Sequence, residues 1–443
     1  VTVFSLDTAQ TAWCAELRTL AAERLRPLAE KGEPGHVNRP LVAELGRLGL
    51  LTRLFTSGAL DLCLMRESLA QVCTEAETAL ALQGLGAHPV HAYGTRAQRA
   101  YWLPRVSDGT AVAAFALSEP AAGSDAAALA LRADRAAPHT PGPPPGTAPG
   151  ADSGTLAAER AGAPAVAETG MPAEAAPAGS PVSGAEVRAL PADEAGTGAV
   201  AEADGAGRWR LTGEKCWISN APEADFYTVF ARTTAGAGAR GVTAFLVPAD
   251  RPGLTGAPLD MLSPHPIGNL AFDGVPVTAD DVLGEPDRGF RVAMGTLNLF
   301  RPSVGAFAVG MAGAALEAAL AHTARREAFG GKLKDLQTVA HQVAEMALRT
   351  EAARLMVYAA AAAYDEGAPD VPRRAAMAKL LATETAQYVV DAAVQLHGAR
   401  ALRRGHLLEH LYREVRAPRV YEGASEVQRA IIAKELYASW EAS

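Results

Sequence analysis

The stretch Tyr421-Glu422-Gly423-Ala424-Ser425-Glu426 runs into Val427, Ala430, Ile431 and Leu436, apolar residues at helical spacing. It reads as a helix N-terminus with Ser425 as the N-cap. A carboxylate just ahead of a helix can answer the helix dipole, or it can be a working base, and the residues upstream bear on the choice. There, Val339, Val343, Met346, Thr350, Ala353 and Val357 recur at steps of three and four, placing one apolar stripe on a long helix. Similar patterns run from about Arg291 to Arg325 and from Arg374 to Leu396. Residues 286–443 therefore read as a four-helix-bundle domain with Glu422 near its end.

Before this bundle the texture differs. Ala111 to Leu117, Trp209 to Leu211, Phe226 to Ala231, Val242 to Val247 and Leu270 to Phe272 read as strands, separated by Gly, Pro and Asp. They predict an antiparallel β-domain over residues 110–285. Residues 136–208 contain no Phe, Tyr, Trp, Ile or Lys. Such a composition predicts a disordered insert between two strands, Ala127 to Arg132 and Trp209 to Trp217, that a short turn would otherwise join. Residues 1–109 read as all-helical, with Asp7, Asn38 and Thr95 as caps and a long apolar stretch from Leu60 to Leu85. The fold class is α+β, in helical, β and helical order.

The 443 residues allow two or three domains, and 49% hydrophobic with 20% charged residues predicts a globular chain. A net charge of −8 argues against nucleic acid as a partner. No run of about 18 apolar residues predicts a membrane span, and no signal-peptide pattern appears, so a cytoplasmic protein is expected. Cys14, Cys63, Cys73 and Cys216 have neither metal-ligand spacing nor a disulfide framework, and no metal is expected.

Four stretches carry chemistry. Phe115-Ala116-Leu117-Ser118-Glu119-Pro120-Ala121-Ala122-Gly123-Ser124-Asp125 leaves a strand for a turn that offers hydroxyls and backbone N–H groups. Thr212-Gly213-Glu214-Lys215-Cys216-Trp217-Ile218-Ser219-Asn220 is the second. Arg326-Glu327-Ala328-Phe329-Gly330, followed by Gln337, is the third. The fourth runs from Gln395-Leu396-His397-Gly398 through Tyr412-Arg413-Glu414, Arg416 and Arg419 to Glu422 and Glu426. Together, and in this order, they resemble the signatures of the acyl-CoA dehydrogenase family, and the resemblance covers nearly the whole chain apart from the insert.

The resemblance implies FAD as cofactor and α,β-dehydrogenation of an acyl-CoA, or of an acyl-carrier thioester, to the trans-2-enoyl product in fatty acid metabolism. Glu422 would remove the α-proton. Phe115, Leu117, Ser118, Gly123, Ser124, Trp217, Ile218 and Ser219 would line the flavin, with Ala424 and Glu426 also on the cofactor. Ser124, Asn298, Arg301 and Gly423 would meet the substrate. Arg326, Phe329, Gln337, Gln395 and Gly398 would reach the FAD of a neighbouring subunit, making a homodimer or homotetramer, and electrons would leave to an electron-transfer flavoprotein. An oxidase or enoyl reductase on the same site, or a silent scaffold, stays open.

Three departures from the family pattern stand out. Ala399 replaces a second Gly, Asn298 stands where Asp is usual, and Ser263-Pro264-His265-Pro266-Ile267-Gly268 lacks the usual Ser-Asp-Thr. Two other motifs are expected to be incidental. Gly236-Ala237-Gly238-Ala239-Arg240-Gly241 lies between strands, so it reads as a hairpin loop rather than a nucleotide site. His406-Leu407-Leu408-Glu409-His410 has zinc-protease spacing but falls within the fourth stretch and reads as solvated helix.

Overall fold

The computed structural model describes residues 5–136 and 207–442. The segment 136–208 read as an insert therefore lies, apart from Ala136, Gly207 and Arg208, outside the described residues. Its two ends are adjacent: Ala136 N donates to Arg208 O at 3.0 Å.

Seven helices open the chain: α1 (Thr8–Leu20), α2 (Arg26–Ala29), α3 (Arg39–Arg47), α4 (Leu50–Thr56), α5 (Ala59–Ala70), α6 (Thr74–Tyr93) and α7 (Arg96–Ser107). The expected caps are in place. Asp7 and Thr95 each close a capping box with a glutamine three residues on, and Asn38 accepts from Leu41 N at 3.1 Å. The stretch from Leu60 to Leu85 is not one helix but parts of two, α5 and α6, broken at Gln71–Cys73. Glu75 and Glu77 occupy the first turn of α6, where the dipole favours carboxylates.

The strands are β1 (Ala113–Ala116), β2 (Arg132–Arg135), β3 (Arg208–Ser219), β4 (Phe226–Arg232), β5 (Val242–Pro248), β6 (Leu254–Pro258), β7 (Ile267–Thr278) and β8 (Val282–Leu283). They form one sheet in the order β6-β7-β3-β2-β4-β5-β8, with β1 also on β4. Most pairings are antiparallel, as the strand spacing suggests, but the sheet is mixed. β1 runs parallel to β4, Ala113 facing Phe226, and β2 meets β4 in parallel at Arg132 and Arg232. Parallel neighbours are joined by a crossover rather than a tight turn, so turn residues in the sequence do not betray them. The glycine-rich loop 236–241 is the β4–β5 hairpin connection, as read.

The remaining elements are α8 (Gly289–Arg325), the short hairpin β9 (Glu327–Ala328) and β10 (Gly331–Lys332), α9 (Gln337–Asp365), α10 (Val371–His397), α11 (Leu407–Glu414) and α12 (Ser425–Glu441). α8 matches a membrane span in length and composition, yet 67% of its apolar window is buried inside the protein. Glycines permit this close packing. A Cβ on Gly310 would lie 2.4 Å from Glu67 O of α5, and one on Gly305 would lie 2.7 Å from Val357 of α9. The stripe of α9 buries Met346, Thr350, Ala353 and Val357 in the same core.

Candidate active site

The first group of predicted residues gathers where β1 meets β3. Phe115 packs on Phe230 with ring centroids 4.9 Å apart, and Leu117 is buried. Ser118 O accepts from Cys216 N at 3.0 Å, which ties the first chemical stretch to the second. Glu119 anchors the turn from beneath. Its carboxylate accepts from Ala130 N at 2.6 Å, Leu131 N at 2.9 Å and Lys215 Nζ at 2.8 Å. Lys215 Nζ also donates to Leu117 O at 2.9 Å. Burial pushes the Lys215 ammonium down to about 8, against the opposing pull of Glu119. Gly123 and Ser124 stay exposed on the turn held this way.

β3 then slips register against β7 between Lys215 and Ile218. The bulge buries Ile218 and turns Trp217 outward, 48% exposed, at φ 56°. Asn220 follows at φ 65°. Asn tolerates the left-handed region, whereas a bulky Trp is strained there, by about 1–3 kcal/mol. The corner is held by Asn220, whose Nδ2 donates to Ala113 O and whose N donates to Pro266 O, both at 2.8 Å. Ser219 is half-buried beside it.

The second group surrounds Glu422, which stands at φ 52° two residues before Ala424, the N-cap of α12. Ser425 is therefore the first residue of the helix rather than its cap. Its hydroxyl is engaged by Glu384 at 2.6 Å, a carboxylate also paired with Arg419 at 2.9 Å. The loop's main-chain oxygens are gathered by buried side chains. Arg301 Nε donates to Glu422 O at 3.3 Å, Lys379 Nζ to Gly423 O at 2.6 Å, and Gln428 Nε2 to Gly423 O at 2.8 Å. Asn298 Oδ1 accepts from Arg301 NH1 at 3.4 Å, so a neutral amide serves where the resemblance led one to expect a carboxylate. A side chain at Gly423 would meet Gln428 Nε2 at 2.3 Å, and its φ is 96°. Only glycine suits that position.

The carboxyl of Glu422 receives no hydrogen bond among the described residues, and its Oε2 is buried. Burial raises its pKa, while Arg66, Lys379 and Arg301 oppose the rise. Burial likewise pushes Lys379 down to about 8. Ala424 is half-buried and Glu426 exposed.

The third group stays apart. Arg326, Phe329, Gln337, Gln395 and Gly398 are all exposed, Phe329 by 90%. The ends of α8 and α10 meet through His322 and His397, stacked with centroids 4.2 Å apart, which brings Arg326 and the segment from Gln395 to one face. Among the described residues no hydrogen bond or ion pair joins this face to Trp217 or to Glu422.

A connection between the first two groups escaped the sequence reading. His265 Nε2 lies 2.5 Å from Glu414 Oε2, and the neighbouring Pro266 receives the Asn220 N–H. The loop with the atypical sequence thus ties the Trp217 corner to α11, which leads into the Glu422 segment. The prolines flanking His265 signal a stiff loop, but nothing in the sequence names its partner. Lys379 and Arg66 were also missed, although each is a charge inside an apolar helical stripe. His406 and His410 are structural rather than simply solvated. His406 caps α11 by accepting from Leu408 N at 3.1 Å, and His410 meets Thr74 Oγ1 at 2.6 Å. Among the described residues no cluster suited to a metal ion is present.

Comparison with known proteins agrees with this architecture. Residues 7–110, 179–275 and 287–437 match the family profiles described as the N-terminal, middle and C-terminal domains of acyl-CoA dehydrogenase. The short-chain specific acyl-CoA dehydrogenase of Bos taurus mitochondria is 31% identical over 435 residues, covering 96% of this chain and 89% of that protein. A probable acyl-CoA dehydrogenase of Mycobacterium tuberculosis is 39% identical over 239 residues, which is 53% of this chain and only 61% of that protein's length. Among solved structures, butyryl-CoA dehydrogenase from Megasphaera elsdenii superimposes with a TM-score of 0.78 at 27% identity, over 98% of this chain and 100% of that one.

Proposed function

Because the chain belongs to the acyl-CoA dehydrogenase family, we propose that it desaturates an acyl-CoA thioester at Cα–Cβ, with Glu422 removing the α-proton. The observation that carries this reading is the state of Glu422 itself. Its Oε2 is buried without a partner, and its own N–H makes no hydrogen bond among the described residues. A buried polar atom left unmatched costs free energy comparable to a lost hydrogen bond, so the carboxyl is open to a ligand, with an unengaged N–H beside it. The N–H suits a thioester carbonyl, where a donor stabilises the developing enolate. The adjacent carboxyl, raised by burial, suits the α-proton.

The residues also fit FAD. A strained, half-exposed Trp217 beside the Ser219 hydroxyl and the Ser118–Ser124 turn offers a flat surface with donors at its edge, which a flavin ring would cover. When bound, FAD supplies the acceptor for the β-hydrogen as hydride. Arg301 and Lys379 hold the Glu422 loop in place by its carbonyls. The isolation of Arg326, Gln395 and Gly398 from these groups supports a composite site, in which they grip the FAD of a second copy in a homodimer or homotetramer. The electron acceptor we propose is an electron-transfer flavoprotein.

Glu422→Gln tests the assignment. It should keep bound flavin and lose reduction of an artificial dye by acyl-CoA by roughly 10²–10⁴-fold, the scale of general-base removal. Near-normal dye reduction, across a panel of chain lengths, would place the base elsewhere.

A further inference from the structure

The peptide groups on either side of Gly423 are held by more bonds than a loop needs. Glu422 O accepts from Arg301 Nε of α8 and from Gln428 Nε2 of α12, both at 3.3 Å. Gly423 O accepts from Gln428 Nε2 at 2.8 Å and from Lys379 Nζ of α10 at 2.6 Å. A carbonyl oxygen has two lone pairs, so two donors on each oxygen saturate both. Among the described residues, Gln428 is the one side chain that reaches the two together. It is fully buried, and its own N donates to Ala424 O at 3.0 Å, which ties the amide to the first turn of α12. The entering chain is fixed as well, Tyr421 N donating to Ala417 O at 3.1 Å.

Packing does not account for Gln428. Its Oε1 is buried without a partner, a cost that an apolar side chain of the same volume would avoid. Gly423 makes room for it, since a Cβ there would stand 2.3 Å from Gln428 Nε2. What these bonds enclose is strained. Glu422 has φ 52°, a left-handed backbone uncommon for a residue with a side chain, and such a conformation lasts only where its surroundings over-determine it. That rotation about N–Cα decides how the Glu422 N–H stands relative to its carboxyl. We propose that Gln428 is a positioning residue for the proton transfer. By holding the Glu422 and Gly423 carbonyls it keeps Glu422 left-handed, so that the N–H meets the thioester oxygen while the carboxyl meets the α-carbon of the same substrate. This rests on the reading of Glu422 as the base.

Arg301 and Lys379 do not replace it. Each reaches one of the two carbonyls, and each is a cation, so removing either changes the charge around Glu422 as well as its backbone. Gln428 is neutral. Its loss alters geometry and leaves the charges alone, and with Arg301 and Lys379 in place neither carbonyl is stranded.

The test is Gln428→Met in the intact flavoprotein, an unbranched side chain that fills the space and donates nothing. Turnover per bound flavin should fall about 10²-fold, the loss expected when a reacting group is misplaced by ~1 Å, with KM little changed. The second readout is the infrared carbonyl stretch of a bound enoyl-CoA product, isotope-labelled at the carbonyl carbon. A hydrogen bond from the Glu422 N–H lowers that stretch in the parent, and Gln428→Met should lose part of the shift. A purely structural role would instead lower melting temperature and flavin content while each remaining flavin turned over normally, and that result overturns the proposal. So does a loss of rate with the carbonyl shift unchanged. If Gln428→Met does not fold, Gln428→Asn, which keeps the amide but withdraws it by one methylene, decides alone: an undiminished carbonyl shift overturns it. Glu422→Gln run beside them separates the two readings. Full turnover there means the base is elsewhere, while a dead Glu422→Gln beside an unimpaired Gln428→Met removes only the role of Gln428.

Discussion

Removing the Glu119 carboxylate should unfasten the turn that faces the Trp217 corner. In the native chain this carboxylate satisfies three donors at once, Ala130 N, Leu131 N and Lys215 Nζ, at 2.6–2.9 Å and almost out of solvent. Glu119→Ala strands a fully buried ammonium together with two backbone N–H groups. Breaking one partner out of a buried pair costs about 3–5 kcal/mol, and the two orphaned amides place this variant at the upper end. Glu119→Gln/Lys215→Met strands no charge and keeps an acceptor for one amide, so about 1–3 kcal/mol is expected. With Glu119→Gln and Lys215→Met as the matching single variants, the coupling between the two sites should then exceed about 1.5 kcal/mol. Denaturant unfolding of the single and double variants measures it, with acrylamide quenching of tryptophan as the local readout. Lys215 adds a signature. Its pKa of about 8 lies below the ~10.4 of a free lysine, so between those values the unfolded chain binds more protons and stability rises with pH. Lys215→Met should lose that slope. A Glu119→Ala protein within about 1 kcal/mol of the parent, with unchanged quenching, would refute the anchoring argument.

Two more predictions concern the connecting loop and the exposed face. Glu414 beside His265 holds the imidazole above its ordinary value, so its contribution is full below ~6.5 and lost as pH rises through the folded value; His265 holds Glu414 below the usual carboxylate range, a contribution present above ~4.3 and lost as pH falls through the folded value. Melting temperatures of His265→Gln should fall below the parent's mainly between these limits, and a uniform deficit from pH 4 to pH 9 would show that the pair's charge is irrelevant. Arg326→Ala should shed flavin on dilution with its helices intact, and a parent that light scattering finds monomeric with full flavin occupancy would rule out the composite site.

What the sequence makes legible here is local or shared with relatives. Asp7, Asn38 and Thr95 cap helices through bonds to residues three positions away, so their type and spacing suffice. Hairpins such as β4–β5 announce themselves by glycine between apolar runs. The parallel contact of β1 with β4 has no such marker, because the partners meet only once the intervening chain has crossed. Glu422, Ser118 and Trp217 were readable through the family signatures, yet the signatures say nothing of how each is held. Arg66, Glu77 and Lys379 resemble ordinary helix charges in a single sequence. Only the packing of α5, α6, α8 and α10 turns them inward. Ser425 carried the right residue type for a cap, and a deeper carboxylate claimed its hydroxyl.

The length of α8 has a consequence for inheritance of defects. Its 37 residues span about 55 Å, and Arg301 and Arg326 stand about 37 Å apart along it. Even with both side chains extended, one chain cannot bring these two guanidiniums to the same group of a ligand. On the composite site proposed above, each copy carries the base for its own centre and a clamp for its neighbour's. A subunit damaged at Glu422 and one damaged at Arg326 are then not equally lost when they assemble together. One centre of the mixed pair collects both lesions, and the other collects none. Lesions that abolish activity separately would complement each other in a mixed assembly.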